Sequence, residues 1–307
     1  MLCYTAPMKR SMTIEAPAKI NLSLAVGPRG DDGYHAIGSI FQAIKLCDSI
    51  ELSLVDEPGI DLECACDCGV EQNTMYKAAF LYIQALRRED LPAPGIRIRA
   101  VKRIPSGAGL GGGSSDAVAV LKALRELIPG SCGPAQLAAM ASAIGSDLPF
   151  FLGGSCAAVR GRGELVQPIK PRLDYALVLA RPGFSIATKD AYALLDELRP
   201  LAPGRVGGGL EGSLNAALDA YANRHPSSWR FPNDFYDALI GRYPGLKAIK
   251  DRLSGLGADF CSLSGSGSCL FGVFTDEKQA LDAHSALSSE GIESYLSFPL
   301  ARLPYSV

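Results

Sequence analysis

Histidine, tryptophan and net charge are all scarce in this chain. Its 307 residues include three histidines and one tryptophan, and 30 Lys and Arg against 32 Asp and Glu leave a net charge of −2. No broad basic field is present to attract nucleic acid, whose affinity for proteins rests largely on neutralised phosphates. No apolar run approaches the ~20 residues that a membrane-spanning helix needs. Residues 1–12 have two basic side chains and no long apolar stretch, so no signal or transit peptide is expected and the chain reads as cytoplasmic. Cys-x-x-Cys pairs are missing too. The nine cysteines are odd in number and scattered, which predicts thiols in a reducing compartment and no disulfide framework. Cys64, Cys66 and Cys68 alternate along one segment and could face a soft metal together, but no fourth ligand stands at zinc-site spacing. Plain cysteines are the expectation there.

Several catalytic signatures are also absent. No Gly-Lys-Ser/Thr closes a glycine loop, which excludes a Walker A motif. No Val-Ala-Ile-Lys or His-Arg-Asp segment marks a protein kinase, and no Gly-x-Ser-x-Gly supports a hydrolytic triad. Gly107-x-Gly109-x-x-Gly112 matches the dinucleotide fingerprint, but no acidic residue ends a parallel strand about 20 residues later, so an oxidoreductase is disfavoured.

What is present centres on Pro105-Ser106-Gly107-Ala108-Gly109-Leu110-Gly111-Gly112-Gly113-Ser114-Ser115, with five glycines among residues 107–113. Glycine lets backbone N–H groups approach an anion closely. The alternation of Ile96, Ile98 and Ala100 with Arg97 and Arg99 predicts a strand over 96–104 before the loop. Val120, Leu121, Leu124, Leu127 and Ile128 recur at helical spacing, predicting a helix over 116–128 that ends at Pro129-Gly130. Ser114 and Ser115 read as its N-cap and as hydroxyl donors. A glycine loop running into a helix N-terminus is a phosphate-binding arrangement.

Strands are expected over 13–26, 41–54, 175–180, 259–263, 269–274 and 294–298. Helices are expected over 73–88, 134–144, 188–198, 235–243, 246–256 and 277–290, with strands or a short helix plus strands across 150–159 and 164–169. Residues 203–209 read as a mobile glycine loop. Strands and helices mix without strict alternation, which predicts an α+β protein in two lobes, 1–166 and 167–307.

Four more segments have chemical interest. Lys19 and Asn21 share one strand face while Ile20 and Leu22 take the other. Gly33-Tyr34-His35 follows an acidic turn, Asp147 stands before Pro149, and Ser264-Gly-Ser-Gly-Ser268 joins two strands. Taken singly, each is equally an exposed face, a surface turn, an N-cap or a hairpin connection.

In this order, the four segments and the glycine loop resemble the GHMP kinase superfamily over nearly the whole chain. Ala-Lys-Ile-Asn-Leu with Gly-Tyr-His resembles the branch that phosphorylates a cytidyl diphosphate methylerythritol for non-mevalonate isoprenoid synthesis. The resemblance implies a two-lobed GHMP fold, an ATP-dependent small-molecule kinase, ATP and Mg²⁺ as cofactors, and an active site in the cleft. It implies that Lys19 and Asp147 are the catalytic pair, that residues 105–115 hold the triphosphate, and that Asn73 lies at the adenine region. Tyr34, His35 and Tyr192 then bind the cytosine, with Tyr34 and Tyr192 as a sandwich, and Asn21 and Thr188 lie on the substrate side. No metal ligand or oligomeric state is assigned. The alternatives are a GHMP kinase for homoserine, mevalonate or a sugar, and a non-catalytic nucleotide-binding protein. Tyr34 and His35 argue against the first, because a substrate without a base needs no stacking pair, and the retained Lys19 and Asp147 argue against the second.

Overall fold

The computed structural model describes residues 10–65, 68–198 and 209–305. Two long antiparallel strands form its spine, β1 (Ser11–Arg29) and β2 (His35–Val55). The turn between them has Gly33 at φ 81°, a left-handed position that suits glycine. Strand β3 (Ile60–Cys64) reaches the parallel strand β4 (Gly95–Val101) through α1 (Thr74–Arg88). Helices α2 (Gly112–Leu127), α3 (Pro134–Ile144) and α4 (Leu148–Gly153) precede β5 (Cys156–Arg160) and β6 (Leu165–Pro168). The first sheet runs β3-β4-β2-β5-β6, with β1 also paired to β2.

The chain then builds a second sheet from β7 (Ala176–Arg181), β8 (Phe260–Leu263), β9 (Leu270–Phe274) and β10 (Glu293–Ser297), in the order β10-β7-β9-β8. Helices α5 (Thr188–Leu198), α7 (Asp234–Leu239), α8 (Pro244–Gly255) and α9 (Glu277–Ser289) follow in the same part of the chain, and α6 (Gly209–Asn223) lies against β1 and β2. The change of sheet falls between Pro168 and Ala176, so a division at 166/167 passes through β6. The last described residues return to the first sheet, where Lys45 N–H donates to the Phe298 carbonyl and Leu300 N–H to the Ala43 carbonyl.

Two apolar layers flank the β1–β2 spine. One joins Ile50, Leu52 and Ile98 to α1 and α2 through Met75, Tyr82, Val118 and Leu121. The other packs Ile20, Leu22, Ile40 and Ile44 against Phe271, Val273 and the fully buried Trp229. Trp229 Nε1 donates to the Ala220 carbonyl, so its one polar atom is satisfied inside that layer. Burying a large aromatic side chain contributes roughly 1.5–3 kcal/mol, and this layer clamps the lobes together.

The register of β1 decides where its side chains go. Its pairing with β2 shifts between Pro17 and Lys19 and again between Asn21 and Ser23. Such irregularities change which face a residue presents. Ala18, Ile20 and Leu22 accordingly join the layer facing the second sheet, whereas Ala16, Leu24 and Val26 join the helix-side layer. Lys19 and Asn21 therefore point to the helix side, where the glycine loop lies.

The structure differs from the sequence-based expectations at two places. The helix after the glycine loop begins at Gly112, with Gly111 as its N-cap at φ 70°, so Ser114 and Ser115 lie inside its first turns and do not cap it. The glycines obscured that start, because glycine is a poor helix former that a helix N-terminus nonetheless tolerates. Residues 209–223 form α6, which the sequence reading did not predict because Gly209 and Gly212 weakened the signal. Residues 150–159 divide into α4 and β5, the short helix plus strand that the sequence allowed. The expected mobile loop lies largely outside the described residues.

Candidate active site

Lys19 sits mid-strand on β1, and its backbone N–H donates to the Leu110 carbonyl at 2.9 Å, which ties the strand to the glycine loop. Its side chain is only 4% exposed, unlike the solvated lysine that a lone strand position would predict. A buried ammonium needs partners, and three surround it. Nζ donates to Asn21 Oδ1 at 2.7 Å, lies 3.3 Å from Asp147 Oδ2, and stands 4.6 Å from the centre of the Phe41 ring. Asn21 is itself fixed, donating from Nδ2 to Ser39 Oγ at 3.0 Å. The Asn21 carbonyl oxygen is thus committed to orienting Lys19.

Asp147 occupies the N-cap position of α4 but makes no side-chain capping bond, and about a third of its side chain is exposed. Its carboxylate is turned to Lys19 and to the cleft. The sequence alone made a cap as good a reading, because Asp before a proline-initiated helix is a normal cap.

The loop over 105–111 presses against the Ser264–Ser268 connection of the β8–β9 hairpin. A side chain at Gly109 would overlap the Ser264 carbonyl oxygen, Ser264 Oγ donates to the Gly109 carbonyl at 3.0 Å, and Cys269 N–H donates to the Ala108 carbonyl at 3.2 Å. Asn233 holds the other side of that connection, its Nδ2 donating to the carbonyls of Leu263 and Gly265 at 2.7 and 3.0 Å. Gly111 stands directly over Lys19, where an added Cβ would meet Cγ at 2.9 Å. Helix α2 leaves from this point, and Gly111 and Ser114 at its start line the cleft.

A cleft of about 1190 Å³ brings together Lys19, Asn21, Tyr34, His35, Gly109, Gly111, Ser114, Asp147, Thr188 and Tyr192. The other predicted residues do not line it. Ala108 and Leu110 are buried behind the loop, Ser115 is buried within α2, and Pro105, Ser106, Gly107, Gly112 and Gly113 flank these. Asn73 caps α1 by accepting from Met75 N–H at 2.9 Å, and its neighbour Thr74 donates from Oγ1 to the Gly113 carbonyl at 2.6 Å. Thr188 Oγ1 lies 3.2 Å from Ser266 Oγ at the start of α5.

At the far end of the cleft, His35 is buried and its Nδ1 lies 3.0 Å from the Gly27 carbonyl. A carbonyl only accepts, so Nδ1 carries a proton and Nε2 faces Asp196 Oδ2 at 3.4 Å. Tyr192 stacks on the His35 ring, with centroids 4.9 Å apart and planes 27° apart, and meets Phe235 edge-on. Tyr34 is 59% exposed, and the Arg162 guanidinium lies 4.1 Å from its ring centre. Each of the two tyrosines read as a sandwich therefore already has one face covered. Arg162 also pairs with Asp32 at 2.5 Å, and the Tyr34 N–H bond to the same carboxylate, followed by Arg162, holds the Asp32 carboxyl below its ordinary range.

Sequence reasoning missed Arg162, Asp196, Asn233 and Phe235. None belongs to a motif, and only Asn233 had a local signal, as the residue before a helix start. The described residues contain no group of three or more His, Cys, Asp or Glu placed to hold a metal, and no helix long and apolar enough to cross a membrane. Cys66 lies outside the described residues, so the cysteine cluster is not described as a whole.

Comparison with known proteins places this geometry. Residues 73–155 match the GHMP kinases N terminal domain and residues 227–293 the GHMP kinases C terminal domain. A 4-diphosphocytidyl-2-C-methyl-D-erythritol kinase of Treponema pallidum subsp. pallidum is 38% identical over 282 residues, covering 91% of this chain and 95% of the relative. A crystal structure of 4-(cytidine 5'-diphospho)-2C-methyl-D-erythritol kinase superposes with a TM-score of 0.77 at 33% identity, covering 94% of this chain and 99% of that one. The homoserine kinase of Cytophaga hutchinsonii, at 19% identity and a TM-score of 0.73, shares the fold. The extent of the match, with the lysine and aspartate facing each other beneath the glycine loop, shows that the chain belongs to the 4-diphosphocytidyl-2-C-methyl-D-erythritol kinase family of GHMP kinases.

Proposed function

We propose that this chain transfers the γ-phosphoryl group of ATP to the 2-hydroxyl of 4-diphosphocytidyl-2-C-methyl-D-erythritol, a step of non-mevalonate isoprenoid precursor synthesis. One observation carries the reading. The Lys19–Asp147 pair, 3.3 Å apart, shares a single cleft with the glycine loop and with the His35–Tyr192 stack. The loop supplies a phosphate cradle and the stack supplies a base site, so donor and acceptor meet at the pair between them.

Phosphoryl transfer depends on positioning and charge neutralisation more than on covalent chemistry. The acceptor hydroxyl gives its proton to Asp147 as its oxygen bonds the γ-phosphorus, and the bond to the β-phosphate oxygen breaks to leave ADP. Lys19 places its ammonium against the developing charge, held in place by Asn21 and Phe41 so that little reorganisation is needed. A hard ion carried on the triphosphate would keep most of its own waters. Asp147 would offer such an ion a carboxylate oxygen. Magnesium there would neutralise the phosphate oxygens. Tyr34, His35, Thr188 and Tyr192 form the base and substrate end of the cleft, to which both the 1–166 and the 167–307 lobes contribute.

The test is a panel of acceptors, each supplied with Mg-ATP and followed by ADP release. The cytidyl compound should be turned over fastest, because the aromatic end of the cleft at His35 and Tyr192 offers ring stacking that an acceptor without a base cannot use. Tyr34→Ala should weaken that substrate and leave ATP affinity unchanged. Faster turnover of homoserine or mevalonate would overturn the acceptor assignment and leave the kinase reading standing.

A further inference from the structure

Outside the cleft, one buried group of charges has no part in the chemistry described above. Asp48 on β2 is fully buried, and Asp116, in the second turn of α2, is nearly so. Between them lies the Lys102 ammonium, in contact with Asp48 Oδ2 and 2.5 Å from Asp116 Oδ2. The second Asp48 oxygen, Oδ1, accepts backbone N–H groups from Arg103 at 2.5 Å and Ile104 at 2.8 Å.

These contacts fall at both ends of one segment. Arg103 and Ile104 are the last residues before the glycine loop, and Asp116 lies on the helix that leaves it. Gly112, the first helical residue, packs between them, since a Cβ there would stand 3.0 Å from Ile104 Cγ2 and 3.5 Å from Asp48 Oδ2. One carboxylate on the central sheet thus grips the entry, and through Lys102 it grips the exit. A loop of seven residues with three left-handed glycines, Gly107, Gly109 and Gly111, has little intrinsic preference for one shape. Fixing its two ends limits its shapes.

Stability alone does not account for the cluster. Replacing a buried ion group by well-packed apolar residues is often neutral or stabilising. Burial, the largest influence, and the neighbouring Asp48 charge push the Asp116 carboxyl up to about 7 despite Lys102, so this arrangement strains its own ionisation.

We propose that Asp48, with Lys102 and Asp116, forms a positioning cluster that sets the span of the phosphate loop and aims the N-terminus of α2 at the donor triphosphate. Asp48 and Asp116 touch neither substrate in this arrangement and act through the loop backbone. The proposal rests on the ATP reading of the loop and is independent of the identity of the acceptor.

The experiment compares Asp48→Ala, Asp48→Asn and Asp116→Asn with the unmodified chain. ATP affinity is measured by calorimetry without acceptor, CDP affinity is measured separately, and hydrogen exchange is followed at amides 106–113 without nucleotide. Asp48→Ala should weaken ATP at least tenfold, leave CDP within twofold, and speed exchange in the loop while strands β7 and β9 stay protected. Asp48→Asn keeps a carbonyl acceptor for the Arg103 and Ile104 amides and should recover much of the loss. Asp116→Asn should give a smaller loss of the same kind. If Asp48→Ala fails to fold, the two asparagine variants decide the matter through the same readouts. Unchanged loop exchange and ATP affinity in the folded variants, with only a lower melting temperature, would overturn the proposal. An unmodified chain that does not bind ATP would refute the functional reading instead, and loop exchange would still test the cluster.

Discussion

Replacing Gly111 by alanine tests whether the glycine loop and the catalytic lysine form one unit. Gly111 has φ 70°, so an alanine there pays the left-handed penalty of about 1–2 kcal/mol. Its new Cβ would also meet Lys19 Cγ at 2.9 Å, Lys19 Cε at 3.1 Å and Phe151 Cζ at 3.3 Å. The lysine has little room to yield, because Asn21, Asp147 and the Phe41 ring hold its ammonium. Relaxing the contact to an ordinary van der Waals distance moves the lysine stem by roughly half an ångström, and misplacement by 1 Å can cost about 10²-fold in rate. Gly107→Ala is the matched control. It has a similar backbone strain at φ 64°, but its nearest neighbours are Ser185 Cβ and Oγ at 3.5 Å, an ordinary contact. Both variants should lose a few degrees of melting temperature. At saturating ATP and acceptor, Gly111→Ala should lose about ten- to a hundredfold in kcat, and Gly107→Ala much less. Equal kcat values for the two variants would refute the idea that the loop holds Lys19 in place.

Three other outcomes are expected. Asp147→Asn should lower turnover by about 10²-fold or more, as removal of a general base does, while the melting temperature barely moves because this side chain caps nothing in α4; near-normal turnover would remove Asp147 from its role. Because the Asp116 carboxyl is raised to about 7 in the folded chain, mainly by burial, its contribution is fully present below its ordinary value of 3.8 and is lost as pH rises through about 7. Urea unfolding should therefore show Asp116→Asn gaining on the unmodified chain between pH 4.5 and pH 8, and a constant difference would contradict this. Elemental analysis of protein purified without chelator should find no stoichiometric zinc or iron at Cys64, Cys66 and Cys68; one metal per chain, lost when the three become serine, would contradict that.

Local chemistry made much of this molecule legible in its residues. The glycine run could only be a turn or an anion cradle, because few other residues accept its left-handed positions. Helix α3 was bounded within its own sequence, by Pro134 at the start and Gly145 at the end. The alternation through Ile96 and Ile98 marked β4 for the same reason, since strand periodicity is a property of neighbouring residues. The pairing of Lys19 with Asp147 was legible only through family resemblance, because nothing in either segment refers to the other.

Tertiary structure decided the rest, since contacts between distant segments have no local signature. Lys19 is buried because two register shifts in β1 turn it toward the glycine loop, and its partner arrives from 128 positions later in the chain. His35 reads as a surface residue until Tyr192 and Asp196, one turn apart on α5, close over it. Asp116 reads as a helix residue like any other until Asp48 and Lys102 enclose it. In each case residue type and spacing set what a side chain can do. Its neighbours, drawn together by the burial of apolar faces on both sides of one sheet, decide which of those things it does.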